Sequence, residues 1–309
     1  LVVSFEANML LQAAQQVAGR QQYPAGTLYL VATPIGNLAD ISLRAVQVLA
    51  LVDAVACEDT RVTGQLLHML GLHKPLLTLH QHNEREASAA IVARLQSGER
   101  IAYVSDAGTP AVSDPGAVLV AQAQLAGLAC CPVPGASAVT AALSVSGDTQ
   151  AQGFRFQGFL PAKGGERQQA LQQLGGTAST VLFEAPHRMA DLAADLAALS
   201  PLRRVTVCRE LSKQFEDIAT LNAAELPAWL AADAHRAKGE FVLVLHGQAA
   251  EADEALPEAW LRLLAELVAV MPVKRAAQLL ADATGRPRKA LYELALQQRQ
   301  ASEEADQGD

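Results

Sequence analysis

Leu28-Tyr29-Leu30-Val31 empties into Thr33-Pro34-Ile35-Gly36-Asn37-Leu38, an apolar run giving way to a loop with Pro and Gly. The pattern recurs twice. Residues 101–104 lead into Ser105-Asp106-Ala107-Gly108-Thr109-Pro110, and residues 129–131 into Pro132-Val133-Pro134-Gly135-Ala136-Ser137. Short apolar runs bounded by turn residues read as buried strands, and a helical pattern follows each loop. All three loops should therefore gather at the carboxyl ends of parallel strands, where an open α/β sheet binds its ligand. A small-molecule cleft is expected.

Working outward, residues 27–147 alternate strand and helix: strands at 28–32 and 53–57, helices at 42–51, 61–70, 87–96 and 117–125. Such alternation implies a mainly parallel sheet with helices on both faces. Asp40 is the expected cap of the first of these helices. Ser146-Gly147-Asp148-Thr149-Gln150 is polar and turn-prone, which places a domain boundary there. A second α/β domain, 148–248, follows, with strands expected at 154–159, 180–183, 204–208, 215–221 and 241–245 and helices near 166–174, 187–199 and 223–232. Residues 249–258 read as a solvated acidic linker. Three helical patterns fill the tail, 257–300, and Thr284-Gly285-Arg286-Pro287 makes a helix-turn-helix-like outline, with Gly closing one helix and Pro opening the next.

At 309 residues with 50% hydrophobic and 18% charged residues, the chain is long enough for two packed cores. A formal charge of −8 argues against binding nucleic acid by bulk charge, so any RNA contact needs a local basic patch. Cys57, Cys130, Cys131 and Cys208 show no metal-ligand spacing; small buried hydrophobes in a reducing compartment, with no metal, are expected. Acidic residues, Gln and Gly interrupt every run that approaches bilayer length, so no membrane is expected. Residues 1–26 lack the basic start and compact apolar core of an export signal and read as a flexible leader, which makes the expected location cytoplasmic.

The loops carry the chemistry. None is a dinucleotide fingerprint or a phosphate loop. In the first, Pro34 stiffens the turn and Gly36 lets backbone approach a ligand, although a plain strand-to-helix turn would look the same. In the second, Asp106 and Asp114 flank Gly108, Thr109 and Pro110, a mixture suited to a zwitterionic or ribose-bearing ligand and longer than a turn requires. The third opens an Ala-rich helix whose free amides could hold an anionic group, with Ser137 either a ligand contact or an ordinary first-turn residue.

Together these blocks resemble the tetrapyrrole methylase superfamily of S-adenosylmethionine-dependent methyltransferases. The resemblance rests on the three loops with Ser113-Asp114-Pro115-Gly116, on Glu58-Asp59-Thr60-Arg61, His82-Asn83-Glu84, Arg209-Glu210-Leu211 and Lys238-Gly239-Glu240. It spans residues 27–297 with order and spacing intact. It implies a class III methyltransferase fold, two α/β domains with the cofactor S-adenosylmethionine between them and a helical tail. Tetrapyrrole-modifying relatives carry G-x-G-P-G after the first strand. This chain has Thr33-Pro34-Ile35-Gly36-Asn37, which points to the RNA-modifying branch; the resemblance to that branch implies methylation of a cytidine ribose 2′-oxygen in the decoding region of 16S rRNA, within the small ribosomal subunit, by a homodimer.

By the same resemblance, Ser105, Asp106, Gly108 and Thr109 line the methionine side of the cofactor, Ser137 and Ala138 form the neighbouring wall, Pro34 lies on the first loop, and Phe183 and Leu211 close over the adenosyl part. A sulfonium methyl is already activated, so positioning dominates, with the attacking oxygen in line at roughly 3 Å. A carboxylate or imidazole would take the hydroxyl proton, and Asp59, His82 and Glu84 are the candidates, with Asp106 beside them. Asp59 could equally be a helix cap and His82 a satisfied loop histidine. RNA should meet Arg61, Arg85 and Lys163 and the tail cations Lys274, Arg275, Arg286, Arg288 and Lys289, although a basic helix is also an ordinary solvated face. Two other readings stand beside this one: a methylase of a tetrapyrrole or protein side chain on the same fold, and a ribosome-assembly factor that keeps the cleft as a binding module.

Overall fold

A computed structural model describes residues 7–80, 83–112, 115–248 and 256–306. The chain divides into two compact units, Leu1–Gln248 and Ala249–Asp309.

The first unit opens with α1 (Ala7–Ala18) and a sheet of β1 (Thr27–Val31), β2 (Ala54–Cys57), β3 (Leu76–Thr78), β4 (Ile101–Val104) and β5 (Ala129–Val133). Its order is β3-β2-β4-β1-β5 and every pairing is parallel. Helices α2 (Leu43–Leu51), α3 (Thr60–Met69), α4 (Glu84–Gln96), α5 (Ala117–Leu125) and α6 (Ala138–Ser146) connect the strands. Alternate strand residues feed opposite faces. Tyr29, Val31 and Val55 pack with Val46 and Leu49 of α2, while Leu28, Ala56 and Ile101 pack with Ile91 and Leu95 of α4 and Leu119 of α5. Burial on both faces is why these runs are continuously apolar.

Four details depart from the sequence reading. Residues 7–18, expected as part of a flexible leader, form a helix whose Ala14 and Ala18 are buried and whose Leu10 and Leu11 pack beside Val46 and Leu49; their three- and four-residue spacing makes one apolar face. Ser42, not Asp40, caps α2 by accepting from the Ala45 amide at 3.1 Å, because Asp40 is taken up in a short 3-10 turn. β5 is an edge strand, so Ala129 is exposed and Cys130 and Cys131 are half-buried. The short strand β3 was not anticipated, since three residues are too few to show a period.

The second sheet comprises β6 (Phe154–Phe159), β7 (Ser179–Glu184), β8 (Arg204–Arg209), β9 (Asp217–Asn222) and β10 (Phe241–Leu245), in the order β6-β7-β10-β8-β9. Only β6 and β7 pair in parallel. Helices α7 (Gly164–Gln172), α8 (Pro186–Leu199) and α9 (Leu226–Ala231) cover one face, through Leu171, Leu192, Leu196 and Leu226 against Leu182, Val205 and Leu243. The other face receives α6, whose Val139 and Ala142 pack on Val181, Cys208, Val242 and Val244. The helix that leaves the third loop thus lies on the second sheet, which brings the two sheets into one unit. α6 ends at Gly147 in the left-handed conformation (φ 63°), and Asp148 then accepts from Ser179 Oγ and the Gly247 amide, each at 2.7 Å.

The second unit holds α10 (Glu258–Val270), α11 (Val273–Thr284) and α12 (Arg288–Asp306) around its own core of Leu264, Ala276, Ala277, Leu280, Leu291 and Ala295. Gly285 closes α11 at φ 69°. Among the described residues no helix is long and apolar enough to cross a membrane.

Candidate active site

The three loops leave β1, β4 and β5, which are neighbours in the sheet, with β1 between the other two. They are knit to one another by backbone. Thr33 and Gly108 exchange amide hydrogen bonds at 2.9 and 3.1 Å, and the buried Thr33 hydroxyl donates to the Ser105 carbonyl at 3.2 Å. Thr109 Oγ1 donates to the Ala136 carbonyl at 3.2 Å, joining the second loop to the third. Gly108 sits at φ 84°, a left-handed conformation that only glycine adopts freely. Gly135 is a glycine for space: a Cβ there would lie 3.0 Å from the Ala32 Cβ. Ser105 is buried beneath the loop while Asp106 and Thr109 are exposed on it.

Backbone in costly conformations marks the same region. Among the described residues the non-glycine positions with positive φ are Ala111 at 63°, Glu210 at 53° and Ser212 at 63°. Each costs about 1–3 kcal/mol and persists only where its surroundings hold it, a pattern that clusters at binding and catalytic loops. Ala111 continues the second loop; Glu210 and Ser212 lie in the turn after β8.

Side chains from both sheets meet in one apolar cluster. Ile35 of the first loop and Ala138 at the start of α6 pack in the same group as Phe183 of β7, Leu211 after β8, and Val242 of β10. Phe183 makes edge-to-face contacts with Phe156 and Phe159 at 5.0 and 5.8 Å between centroids, which fixes its ring. Pro34 is half-buried on the first loop. Ser137 is the N-cap of α6 but makes no side-chain capping bond, so the first-turn amides of that helix are not taken by its hydroxyl. Uncapped amides at a helix start suit a carboxylate, and the neighbouring apolar wall suits an uncharged ring system.

The charged residues divide differently. Asp59 caps α3 by accepting from the Arg61 amide at 2.8 Å and clamps the Arg61 guanidinium, Nη2 to Oδ2 at 2.6 Å and Nε to Oδ1 at 3.1 Å. The Arg61 guanidinium and amide together hold the Asp59 carboxyl down to about 2. A carboxylate that weakly basic is poorly matched to taking a proton from a hydroxyl. Asp106 Oδ1 accepts from the Asp59 amide at 3.2 Å, which joins the two segments at the ends of β2 and β4. Glu84, in the first turn of α4, accepts from the Gly116 amide at 3.0 Å and so links α4 to the start of α5. His82 lies outside the described residues, as do Ser113 and Asp114 of the second loop.

Of the cations expected to meet RNA, Arg61 is exposed though paired with Asp59, Arg85 is exposed on α4, and Lys163 is exposed beside Glu166 at 3.2 Å. In the separate tail unit Lys274 and Arg275 stand exposed in the first turn of α11 and Arg288 and Lys289 in that of α12, whereas Arg286 is half-buried between the helices. A group the sequence reading missed is Lys213 with Glu210 and Glu240, which meets the first loop at Gly36. The blocks 209–211 and 238–240 flagged the region, but only folding brings these segments against residue 36.

Comparison with known proteins fits this geometry. Residues 27–227 match the family model for Tetrapyrrole (Corrin/Porphyrin) Methylases, and residues 254–299 match the RsmI C-terminal HTH domain. The chain is 46% identical over 288 residues to the Ribosomal RNA small subunit methyltransferase I of Neisseria meningitidis serogroup B, covering 93% of this chain and 97% of that one. It is 48% identical over 276 residues to the protein of the same name from Pseudomonas aeruginosa, covering 88% and 98%. Among solved structures, diphthine synthase superposes with a TM-score of 0.54 at 17% identity, covering 71% of this chain and 90% of that one, a likeness of fold. The parallel sheet with its three loops, the second sheet that shares their apolar cluster and the helical tail are thus those of a known group, and the chain belongs to the tetrapyrrole (corrin/porphyrin) methylases, in the family of the ribosomal RNA small subunit methyltransferase I proteins.

Proposed function

We propose that this chain transfers a methyl group from S-adenosylmethionine to the 2′-oxygen of a cytidine ribose in the decoding region of 16S rRNA, working in the cytoplasm on the small ribosomal subunit as a homodimer. The observation that carries the reading is the shared cluster of Ile35, Ala138, Phe183 and Leu211 beside the uncapped start of α6. It offers an apolar wall and an anion-binding helix end side by side, as an amphiphilic nucleoside with an amino-acid tail requires. The names of the relatives, at 46% and 48% identity over most of the chain, turn the choice of acceptor toward ribosomal RNA.

S-adenosylmethionine, when bound, supplies a sulfonium methyl that needs no further activation. The amides of α6 with Ser137 would hold its carboxylate, and Ala138, Leu211 and Phe183 would enclose its adenosyl part. The second loop, with Asp106, Gly108 and Thr109 presented above buried Ser105, would fix the methionine portion. Rate enhancement then rests on alignment of the acceptor oxygen, the kind of contribution positioning alone can make large. Arg61 and the exposed cations of α11 and α12 would take RNA phosphates.

The test is methyl transfer from labelled S-adenosylmethionine to small subunits purified from a strain lacking the corresponding gene, with nucleoside mass spectrometry of the product. A 2′-O-methylcytidine that appears only with the protein supports the reading. Label on a base or on ribosomal protein overturns the acceptor assignment, and binding of S-adenosylmethionine without any transfer favours an assembly factor. Light scattering of the purified protein tests the homodimer.

A further inference from the structure

Lys213 lies where the second sheet meets the first loop. Its ammonium is 2.9 Å from Glu210 Oε1 and 2.9 Å from Glu240 Oε2. Its stem covers Gly36: a Cβ built there would sit 2.8 Å from Lys213 Cε, 3.1 Å from Cδ and closer still to Cγ. No side chain at position 36 could coexist with this placement, so the first loop and the lysine occupy matched space. The anchor beneath is equally close-fitted. Glu210 Oε1 accepts from the Glu240 amide at 2.9 Å, and Gly239, at φ 90°, leaves room for the Glu210 carboxylate, whose Cδ and Oε1 would each be 2.7 Å from a Cβ at 239. The turn is closed by Ser212 N donating to Glu216 Oε2 at 2.7 Å and by Arg209 Nη1 donating to the Phe215 carbonyl at 3.1 Å. These bonds hold Glu210 and Ser212 in the left-handed conformations noted above, which places a built rather than an adventitious structure at this spot.

We propose that Lys213 is a positioning residue that straps the turn after β8 across the first loop and so holds Pro34, Ile35 and Gly36 in the arrangement that receives the methyl donor. The inference rests on the reading of the site as a donor site. It assigns the lysine no proton transfer: burial pulls its ammonium down, but Glu240 and Glu210 together outweigh that and keep its pKa above the ordinary lysine value, so it stays charged. A strap formed by a part-shielded ion pair to Glu210, a solvent-facing one to Glu240 and an apolar stem preorganises the loop, and preorganisation is read as ligand affinity.

Calorimetric titration with S-adenosylhomocysteine, which needs no RNA, tests this. Lys213→Met keeps the stem on Gly36 and removes both ion pairs; it should weaken binding by roughly tenfold, a usual size for coupling between a fixed loop and a ligand. In the transfer assay the same variant should raise KM for the donor while kcat at saturating donor stays within about twofold of wild type. Lys213→Arg should restore most of the affinity. Glu240→Gln should weaken binding in the wild-type background and have no effect in Lys213→Met, because one interaction cannot be lost twice. Wild-type affinity in Lys213→Met, or an equal effect of Glu240→Gln in both backgrounds, overturns the strap. Should Lys213→Met fail to fold by circular dichroism, Glu240→Gln decides alone: its carboxylate is 79% exposed, and unchanged affinity overturns the proposal. A wild-type protein that binds no donor overturns the reading of the site, whereas wild-type binding with an indifferent Lys213→Met overturns the strap alone.

Discussion

At the scale of single residues, two groups with displaced pKa values do different work. Asp59 is held to about 2 by its hydrogen bonds to the Arg61 side chain and amide. A carboxyl depressed in the folded state stabilises the fold above its unfolded value near 3.8, and that contribution is lost as pH falls toward 2. Carbon-detected NMR should therefore find the Asp59 midpoint near 2, and Asp59→Asn should leave the acid limb of the pH–rate profile, where an essential base is lost by protonation, in place; a shift of that limb would restore Asp59 as the proton acceptor. His246 is opposite in sign. It is 6% exposed, with Nε2 2.8 Å from Thr206 Oγ1 and Nδ1 4.0 Å from Asp148; burial, with Arg204 and Arg203 and against Asp148, lowers its pKa below 6.5. The folded chain prefers the neutral ring, while the unfolded chain takes up a proton below 6.5, so stability drops as pH falls from there to the folded value and is unaffected by this group above neutrality. Urea melts at pH 7 and pH 5 should show this loss, and His246→Asn should shrink it; an undiminished loss would assign it elsewhere. Only the first environment was legible in the sequence. Asp59 could be read as a cap because its partner is two residues away, whereas His246 meets Thr206 and Asp148 across forty and ninety-eight positions: the pairing of β10 with β8 brings it to Thr206, and the bond from the Gly247 amide brings Asp148 beside it.

At the scale of elements, legibility followed length and burial. Strands β1, β4 and β10, buried on both faces, are unbroken apolar runs and could be placed within a residue, as could α5. β3, with two half-buried leucines and an exposed Thr78, carries no period to detect, and α1 was overlooked because its buried face is largely alanine, which weighs little in a hydrophobic pattern. The tail helices carry an element-scale prediction. Lys274 and Arg275 open α11 and Arg288 and Lys289 open α12, all exposed, and this placement leaves their charges to solvent or to a phosphate backbone. If they bind RNA, Lys274→Ala with Arg288→Ala should weaken binding of small-subunit RNA regardless of sequence. Each lost phosphate contact should also lower the slope of log affinity against log salt by about 0.7–0.9. Donor affinity should be untouched, because the core of these helices shares no residue with the cluster around the donor loops. Filter binding across a salt series checks the first part and calorimetry the second; an unchanged salt slope would make the basic turn an ordinary solvated face.

At the scale of the whole molecule, the question is which parts stand alone. Among the described residues, every core cluster of the two sheets is composed of residues between Leu10 and Leu245, and the tail core of residues between Leu256 and Ala295, with none shared. A segment with a private core is a folding unit in its own right. The boundary at residues 146–150 differs. The helix before it, α6, packs on the second sheet through Val139 and Ala142, and Asp148 is bonded to Ser179 and Gly247. Cutting there would expose apolar surface on both sides, because Val139 and Ala142 would lose the second sheet and Val181, Cys208, Val242 and Val244 would lose their cover. A chain ending at Gln248 should therefore fold cooperatively, melt within a few degrees of the main transition of the intact protein, and bind S-adenosylhomocysteine with undiminished affinity, while its methyl transfer to small subunits falls through a raised KM for RNA. Separate polypeptides covering residues 1–147 and 148–248 should fail to give soluble folded protein when expressed alone. Scanning calorimetry and donor titration on the three truncations distinguish the cases. If the chain ending at Gln248 unfolds or loses the donor, the tail supports the site through contacts the private cores do not reveal. If the 1–147 piece folds and binds donor unaided, the second sheet's share of the apolar cluster is dispensable to the site.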